Sequence, residues 1–132
     1  MSKAHACMTV RVRYVECDPM GVAHHSAYPV WFEMGRTELL RGHGLEYAAL
    51  EAAGIFLAVV TLEVTYKKPG RYDDLLQLET ELMECGRVKI EHRYVLRRGE
   101  DVLATARTVL ACLGRDGRPV EVPAVVRHAA DA

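Results

Sequence analysis

The hydrophobic pattern of this chain changes period once, and that change limits what it can fold into. Residues 27–42 carry a helical stripe of Val30, Trp31, Met34, Leu39 and Leu40, with most of the charge on Glu33, Arg36, Glu38 and Arg41. Gly42 and Gly44 end it. From residue 55 the period drops to two. The runs "IFLAVVTLEVTYKK" (55–68), "LLQLETELMEC" (75–85), "VKIEHRYVLRR" (88–98) and "VLATARTVLACLG" (102–114) read as four successive strands. Pro69-Gly70, Gly86 and "RGED" (98–101) supply the turns. Strands joined this tightly pair antiparallel. The helix stripe has to be buried, and the sheet needs a cover. The economical architecture is α+β, a curved antiparallel sheet wrapped around one long central helix.

The flanks fit around this centre. "MTVRVRYVE" (8–16) alternates, with Val10, Val12 and Tyr14 on one face, and predicts a first strand that Asp18-Pro19 and Gly21 break. Residues 45–54 read as a second short helix closed by Gly54, 115–123 as a turn and an edge piece, and 124–132 as a tail or short helix. The chain has 132 residues, no internal repeat and no low-complexity linker, so one domain, 1–132, is expected.

Charge and cysteine usage remove several functions. The net charge is −1, and the 13 arginines among 17 cationic residues are scattered. A nucleic-acid partner would call for a basic face. No apolar run approaches the roughly 18–20 residues of a membrane span, and "MSKAHACMTV" contains no apolar segment of the secretory kind. Cys7, Cys17, Cys85 and Cys112 form no C-x-x-C pair, which removes the zinc-ribbon and thioredoxin patterns. Free thiols in a cytoplasmic protein are expected.

The chemistry concentrates in "ECDPMGVAHHSAYPVWFEMGR" (16–36), where an acid, a glycine turn and two histidines precede the helix. From spacing alone Asp18 has two readings, a turn residue or helix cap, and a catalytic carboxylate. The first amides of a helix are unsatisfied and lie at its positive end, so the backbone N–H of His25 is a candidate oxyanion donor. Gly21 would let the backbone come close to a substrate. Neighbouring side chains on a helix face different ways, so His24 and His25 do not read as a chelating pair, and no metal is expected. The His25 side chain is either a polar group at the helix start or one that positions water or tunes Asp18. Arg36 reads as part of a solvated helix face, or as a partner for Glu33. Arg87 and Lys89 read as exposed strand charge, and Lys67, Lys68 and Arg71 form a second basic cluster at the Pro69-Gly70 turn.

The stretch "YVECDPMGVAHHSAYPVWFEMGRTELLR" (14–41) resembles the opening of the 4-hydroxybenzoyl-CoA thioesterase family, and of its acyl-CoA thioesterase branch found with the Tol–Pal system. Asp18, Pro19, Gly21, Tyr28 and Trp31 occupy the motif positions, and His25 matches the histidine of the acyl-CoA branch. "YKKPGRYDDLLQLET" (66–80) resembles the family's downstream hairpin. Glu16-Cys17-Asp18 departs from the branch's Asp-Thr-Asp, and His24-His25 from its Tyr-His. The resemblance implies the hotdog fold and hydrolysis of an acyl-CoA to free acid and CoASH without cofactor. It implies Asp18 as nucleophile or general base, and Tyr28 and Glu33 near the acyl group. It also implies Arg87 and Lys89 on the CoA phosphates. Hotdog proteins pair edge to edge, as a dimer or a homotetramer of paired dimers. That would bring strand 55–68 of a second subunit, with Val59, Val60 and Thr61, close to the thioester. The alternative is a module on the same fold that binds an acyl-CoA or an acyl carrier without turnover.

Overall fold

The helix and the four-strand run form where the period places them. The protein is described from a computed structural model covering residues 4–131, with side chains over 4–127. Residues 1–3 and Ala132, the ends of the expected domain, lie outside the described residues. The elements run β1 (His5–Arg11), a 3-10 turn (Tyr14–Glu16), α1 (Ala27–Gly42), α2 (Tyr47–Ala52), β2 (Phe56–Tyr66), β3 (Leu75–Cys85), β4 (Lys89–Arg98), β5 (Asp101–Leu113) and α3 (Ala124–Asp131). One antiparallel sheet has the order β1-β3-β4-β5-β2. Helix α1 lies on its inner face against β3 and β1.

Two expectations need correction. The first strand runs over 5–11 rather than 8–16. Val12 still pairs, donating to the Asp74 carbonyl at 2.9 Å, but the Arg13 amide is taken by the Glu16 carboxylate at 2.7 Å. The chain therefore curls into the 3-10 turn, and Tyr14 ends 80% exposed instead of joining the face of Val10 and Val12. The buried stripe of α1 is also different. It holds Tyr28, Trp31, Phe32, Gly35, Arg36 and Leu39, while Val30 and Met34 face outward. That set follows the helical spacing i, i+3, i+4, i+7, i+8, i+11, which Gly35 and Arg36 disguise as a polar interruption. Gly35 is there for contact: a Cβ at that position would sit 2.3 Å from Thr80 Oγ1 and 2.8 Å from Leu78 Cδ2. Only glycine lets α1 press this closely on β3.

The inner face of the sheet buries every second residue, as pleating requires. Trp31 and Phe32 pack on Val10, Val12, Leu76, Leu78 and Leu96. Leu39 packs on Leu82, Ile90, Leu110 and Cys112, where Val122 and Val126 close the end. Between these two apolar clusters lie Arg36, Thr80, His92 and Thr108, all buried. Strand β2 forms one edge of the sheet, with a bulge between Val59 and Thr61 and with Val59, Val60 and Leu62 exposed. Among the described residues no helix is long and apolar enough to cross a membrane.

Candidate active site

The loop between β1 and α1 is built by a few specific bonds. Asp18, Pro19, Met20 and Gly21 form a turn closed by the Gly21 amide donating to the Asp18 carbonyl at 2.9 Å. Pro19 stands where its fixed φ presets such a turn. The Met20 amide donates to Asp18 Oδ1 at 2.9 Å. Gly21 has φ +80°, and a Cβ on it would meet no protein atom within 4 Å. The left-handed backbone favours glycine here, and the open space beside it leaves room for a substrate to approach. Cys17 bridges Ala23 across the turn, and Val22 bridges Arg71. The Ala23 amide donates to the Gly70 carbonyl at 2.7 Å, which ties the loop to the Pro69-Gly70 segment.

Glu16 anchors this loop, a role with no signal in its local sequence. Its side chain accepts the Arg13 amide at 2.7 Å and the Arg13 guanidinium at 3.2 Å. It also accepts the indole N–H of Trp31 at 2.8 Å. Its carbonyl takes the His24 amide at 2.7 Å. Burial pushes the Glu16 carboxyl up, but the hydrogen bonds from Arg13 and then Trp31 outweigh it and hold the pKa below the ordinary glutamate value. A charged carboxylate thus fixes the loop to the helix it precedes.

His24 and His25 precede α1 rather than belonging to it, so the helix-face argument does not apply to them. Their rings lie side by side, with centroids 4.1 Å apart. His24 Nδ1 accepts the Ser26 amide at 3.2 Å and lies 2.8 Å from Ser26 Oγ, so this ring serves the start of the helix. Among the described residues no group of three or more His, Cys, Asp or Glu side chains is placed to hold a metal ion. The His25 carbonyl accepts the Tyr66 hydroxyl at 2.8 Å. Among the described residues the His25 amide N–H has no acceptor.

His25 is one of the residues that line a groove of about 310 Å³, with Ala23, Tyr28, Tyr66, Lys67 and Lys68. Tyr28 and Tyr66 meet edge to face, 4.8 Å between centroids, and Tyr28 Oη accepts the Gly70 amide at 3.3 Å. Lys67 and Lys68 are held by their backbone amides on the Leu103 carbonyl. Lys68 pairs with Asp101 at 2.9 Å, and among the described residues Lys67 has no ion-pair partner.

The other candidates are spread over the chain. Asp18 lies seven residues before His25 in the same loop, and its partly exposed side chain is outside the groove wall. Glu33 is exposed on α1, 3.9 Å from Arg36. Arg36 itself is buried, so the solvated-face reading of it fails. Its long side chain turns inward over the polar residues of the sheet instead of reaching water. Val59, Val60 and Thr61 are on the open edge of β2. Arg87 and Lys89 stand at the β3–β4 hairpin, Arg87 paired with Glu121 at 3.5 Å. The Asp18 loop joins the sheet at the Leu75 end of β3 through the Arg11–Leu75 pairing. Ten residues at about 3.3 Å each put the hairpin roughly 33 Å away along the strand. Tyr66, which holds the His25 carbonyl, was not evident from the sequence, because that contact spans 41 residues.

Comparison with known proteins agrees with this architecture. The family model described as the thioesterase-like superfamily matches residues 12–130. The chain is similar to the acyl-CoA thioesterase YbgC of Haemophilus influenzae, 36% identical over 123 residues covering 91% of this chain and 90% of that protein. The structure of a hypothetical protein, TT1821, from Thermus thermophilus superposes with a TM-score of 0.89 at 34% identity, covering 95% of this chain and 96% of that one. A DHNA-CoA thioesterase from Staphylococcus aureus gives 0.85 at 29% identity, over 89% of this chain and 80% of the other. With its hotdog arrangement of five antiparallel strands and a central helix, the chain belongs to the thioesterase-like superfamily.

Proposed function

We propose that the chain hydrolyses an acyl-CoA thioester to the free acid and CoASH, as the acyl-CoA branch of the 4-hydroxybenzoyl-CoA thioesterase family does. What supports this reading is a groove lined by His25, whose amide has no acceptor among the described residues, and by Lys67 and Lys68. A thioester carbonyl develops negative charge on oxygen as it is attacked. A preorganised backbone N–H meets that charge without reorganising, and loss of one such donor typically costs about 100–1,000-fold in rate. Asp18 either removes a proton from the attacking water or adds directly to the carbonyl carbon as a mixed anhydride that water then opens. In both routes one water is consumed, the C–S bond breaks and CoA leaves as the thiol.

The complete site in this reading needs two copies of the chain. They pair along the open edge of β2, and paired dimers give a tetramer. Val59, Val60 and Thr61 of one copy then stand beside the loop of the other, with Tyr28 and Glu33 toward the acyl group. Of the two basic clusters, Lys67 is beside the groove within one chain, whereas Arg87 and Lys89 reach a CoA phosphate only from a different copy. The cytoplasm, where CoA thioesters are made and used, is the location consistent with free thiols.

The second reading, a binding module without turnover, has one observation on its side. The Asp18 carboxylate is engaged by the Met20 amide and is outside the groove wall. Thiol release from a panel of acyl-CoAs separates the two. Asp18→Asn keeps the Met20 contact but removes the base and nucleophile. It is expected to lower turnover at least about 100-fold while a non-hydrolysable analogue still binds. Near-normal turnover in that variant would refute the assignment.

A further inference from the structure

The inner face of the sheet carries a small polar cluster. His92 on β4 and Thr108 on β5 are in direct register, and Thr80 on β3 is paired with Tyr94, the next inward-facing position along β4. Arg36 lies over this cluster with its side chain 9% exposed. Its nearest acid, Glu33, is 3.9 Å away and 67% exposed, so that charge is largely given to solvent. The other polar neighbours of the guanidinium are the Tyr47 and Tyr94 hydroxyls. Burial pushes Tyr47 up to about 12, so it stays neutral. Burial, and then the Arg36 charge, push His92 down to about 3, so it too is neutral. His92 Nδ1 is buried and has no partner. A buried cation without a close anion, next to an imidazole nitrogen with nothing to bond, is a costly arrangement unless a ligand completes it.

There is room for one. A cleft of about 240 Å³ is walled by Arg36, Tyr47, Leu50, Ile55, Leu57 and Leu110, with two exposed acids, Glu33 and Glu51, at its rim. At about 30 Å³ per water this takes roughly eight water-sized groups. A narrower space of about 20 Å³ adjoins it at Arg36, Tyr47 and Leu57 and reaches His92. Leu57 is near the start of β2 and Tyr66 at its end. If two copies pair antiparallel along β2 about the bulge, the Leu57 end of one strand lies beside the Tyr66 end of the other. The cleft of one copy then opens next to the His25 groove of the second.

We propose that the Arg36 cleft seats the far end of the acyl group and that this end carries a carboxylate, making the substrate class a short dicarboxylic acid joined to CoA at one end. This rests on the thioesterase reading above. A guanidinium presents paired donors that match the two oxygens of a carboxylate. His92, as its Nδ1–H tautomer, adds a third donor. An alkyl end leaves the guanidinium buried against hydrocarbon.

The test compares acyl-CoA pairs of equal chain length, one ending in methyl and one in carboxylate: butyryl with succinyl, and hexanoyl with adipoyl. The ratio of their kcat/KM values is measured for the wild type, Arg36→Met and Glu33→Gln. The wild type is expected to prefer the carboxylate-ended member by at least about tenfold, the scale of one charge-assisted hydrogen bond. Arg36→Met should collapse that ratio to about one or below, and Glu33→Gln should raise it by removing one of the two acids at the rim. Equal use of both members by the wild type, or an unchanged ratio in Arg36→Met, overturns the proposal. If no acyl-CoA of either kind is hydrolysed, the thioesterase reading has failed. The cleft is then judged by binding of free glutarate in a calorimeter. Binding to the wild type that Arg36→Met abolishes sustains the carboxylate site, and no binding to the wild type ends it. Melting of each variant is followed by circular dichroism, and a folded Arg36→Met protein is expected, since uncharged residues of similar volume are often tolerated at buried ionic sites.

Discussion

Glu16→Gln isolates the anchor of the loop between β1 and α1. The substitution keeps the shape of the side chain and removes its charge. Glu16 accepts from three donors, two on Arg13 and one on Trp31, with both carboxylate oxygens in use. Glutamine offers one carbonyl oxygen and one amide group, so at least one of those donors faces another donor. Arg13 is mostly exposed, and its ion pair is worth little. Trp31 is 1% exposed, so its indole N–H has no water to turn to. Leaving such a donor unpaired costs about 1–3 kcal/mol. For 132 residues at about 2.1 cal/mol/K each, the unfolding entropy is about 0.28 kcal/mol/K, so the expected drop in Tm is roughly 4–11 °C at pH 7. The sign of the pH dependence follows from the lowered pKa of Glu16. Its stabilisation is fully present above the unfolded-state value of about 4.3 and is lost as pH falls through the folded value. The gap in Tm between wild type and variant should therefore be widest near neutrality and close toward acid. Melting curves across pH 3–8 measure it directly. A variant that melts within 1 °C of wild type at pH 7, or a gap that widens in acid, would refute the anchoring argument.

Two further outcomes are expected. Lys67→Ala should raise KM for full CoA substrates roughly three- to thirtyfold with kcat held, because phosphate contacts act equally on ground and transition states. The double change Arg87→Ala with Lys89→Ala should do so only if those residues reach the site from another copy, and steady-state kinetics on CoA and truncated thioesters distinguishes the clusters. Light scattering at low micromolar concentration should show no stable 14.8 kDa species, whereas Leu62→Lys on the open β2 edge should produce one and lose activity.

Strands β2 to β5 and the long helix were legible because each announces itself by period over ten or more residues. The candidate loop was legible for a different reason: Asp18, Gly21 and His25 are close in sequence, and turn chemistry is local. What stayed hidden depends on contacts between distant segments. Glu16 looks like any surface acid until Trp31, fifteen residues on, is seen to donate to it. The first strand was drawn too long because alternation continues through Tyr14, and only the capture of the Arg13 amide by Glu16 ends it. Arg36 was read as solvated because a binary pattern treats every arginine as surface. Its burial follows from the spacing of Tyr28, Trp31, Phe32 and Gly35, and from the polar cluster that happens to lie beneath it.

Within one chain the candidate residues are not closed around a common point. His25 lines the groove, while Asp18 is outside its wall. The buried guanidinium of Arg36 lies in a cleft at the other end of β2, about ten residues of strand from Tyr66. The β2 edge between them carries exposed Val59, Val60 and Leu62, and among the described residues no strand pairs with it on its outer side. An apolar edge of eleven residues left in water is a liability that a folded protein covers. Antiparallel pairing with a second copy removes that liability. In the proposed pairing, the same two-fold operation carries the groove of each copy toward the cleft of the other. One symmetry element thus answers both the open edge and the divided site, which is why loss of the dimer and loss of turnover are expected together in Leu62→Lys rather than as separate effects.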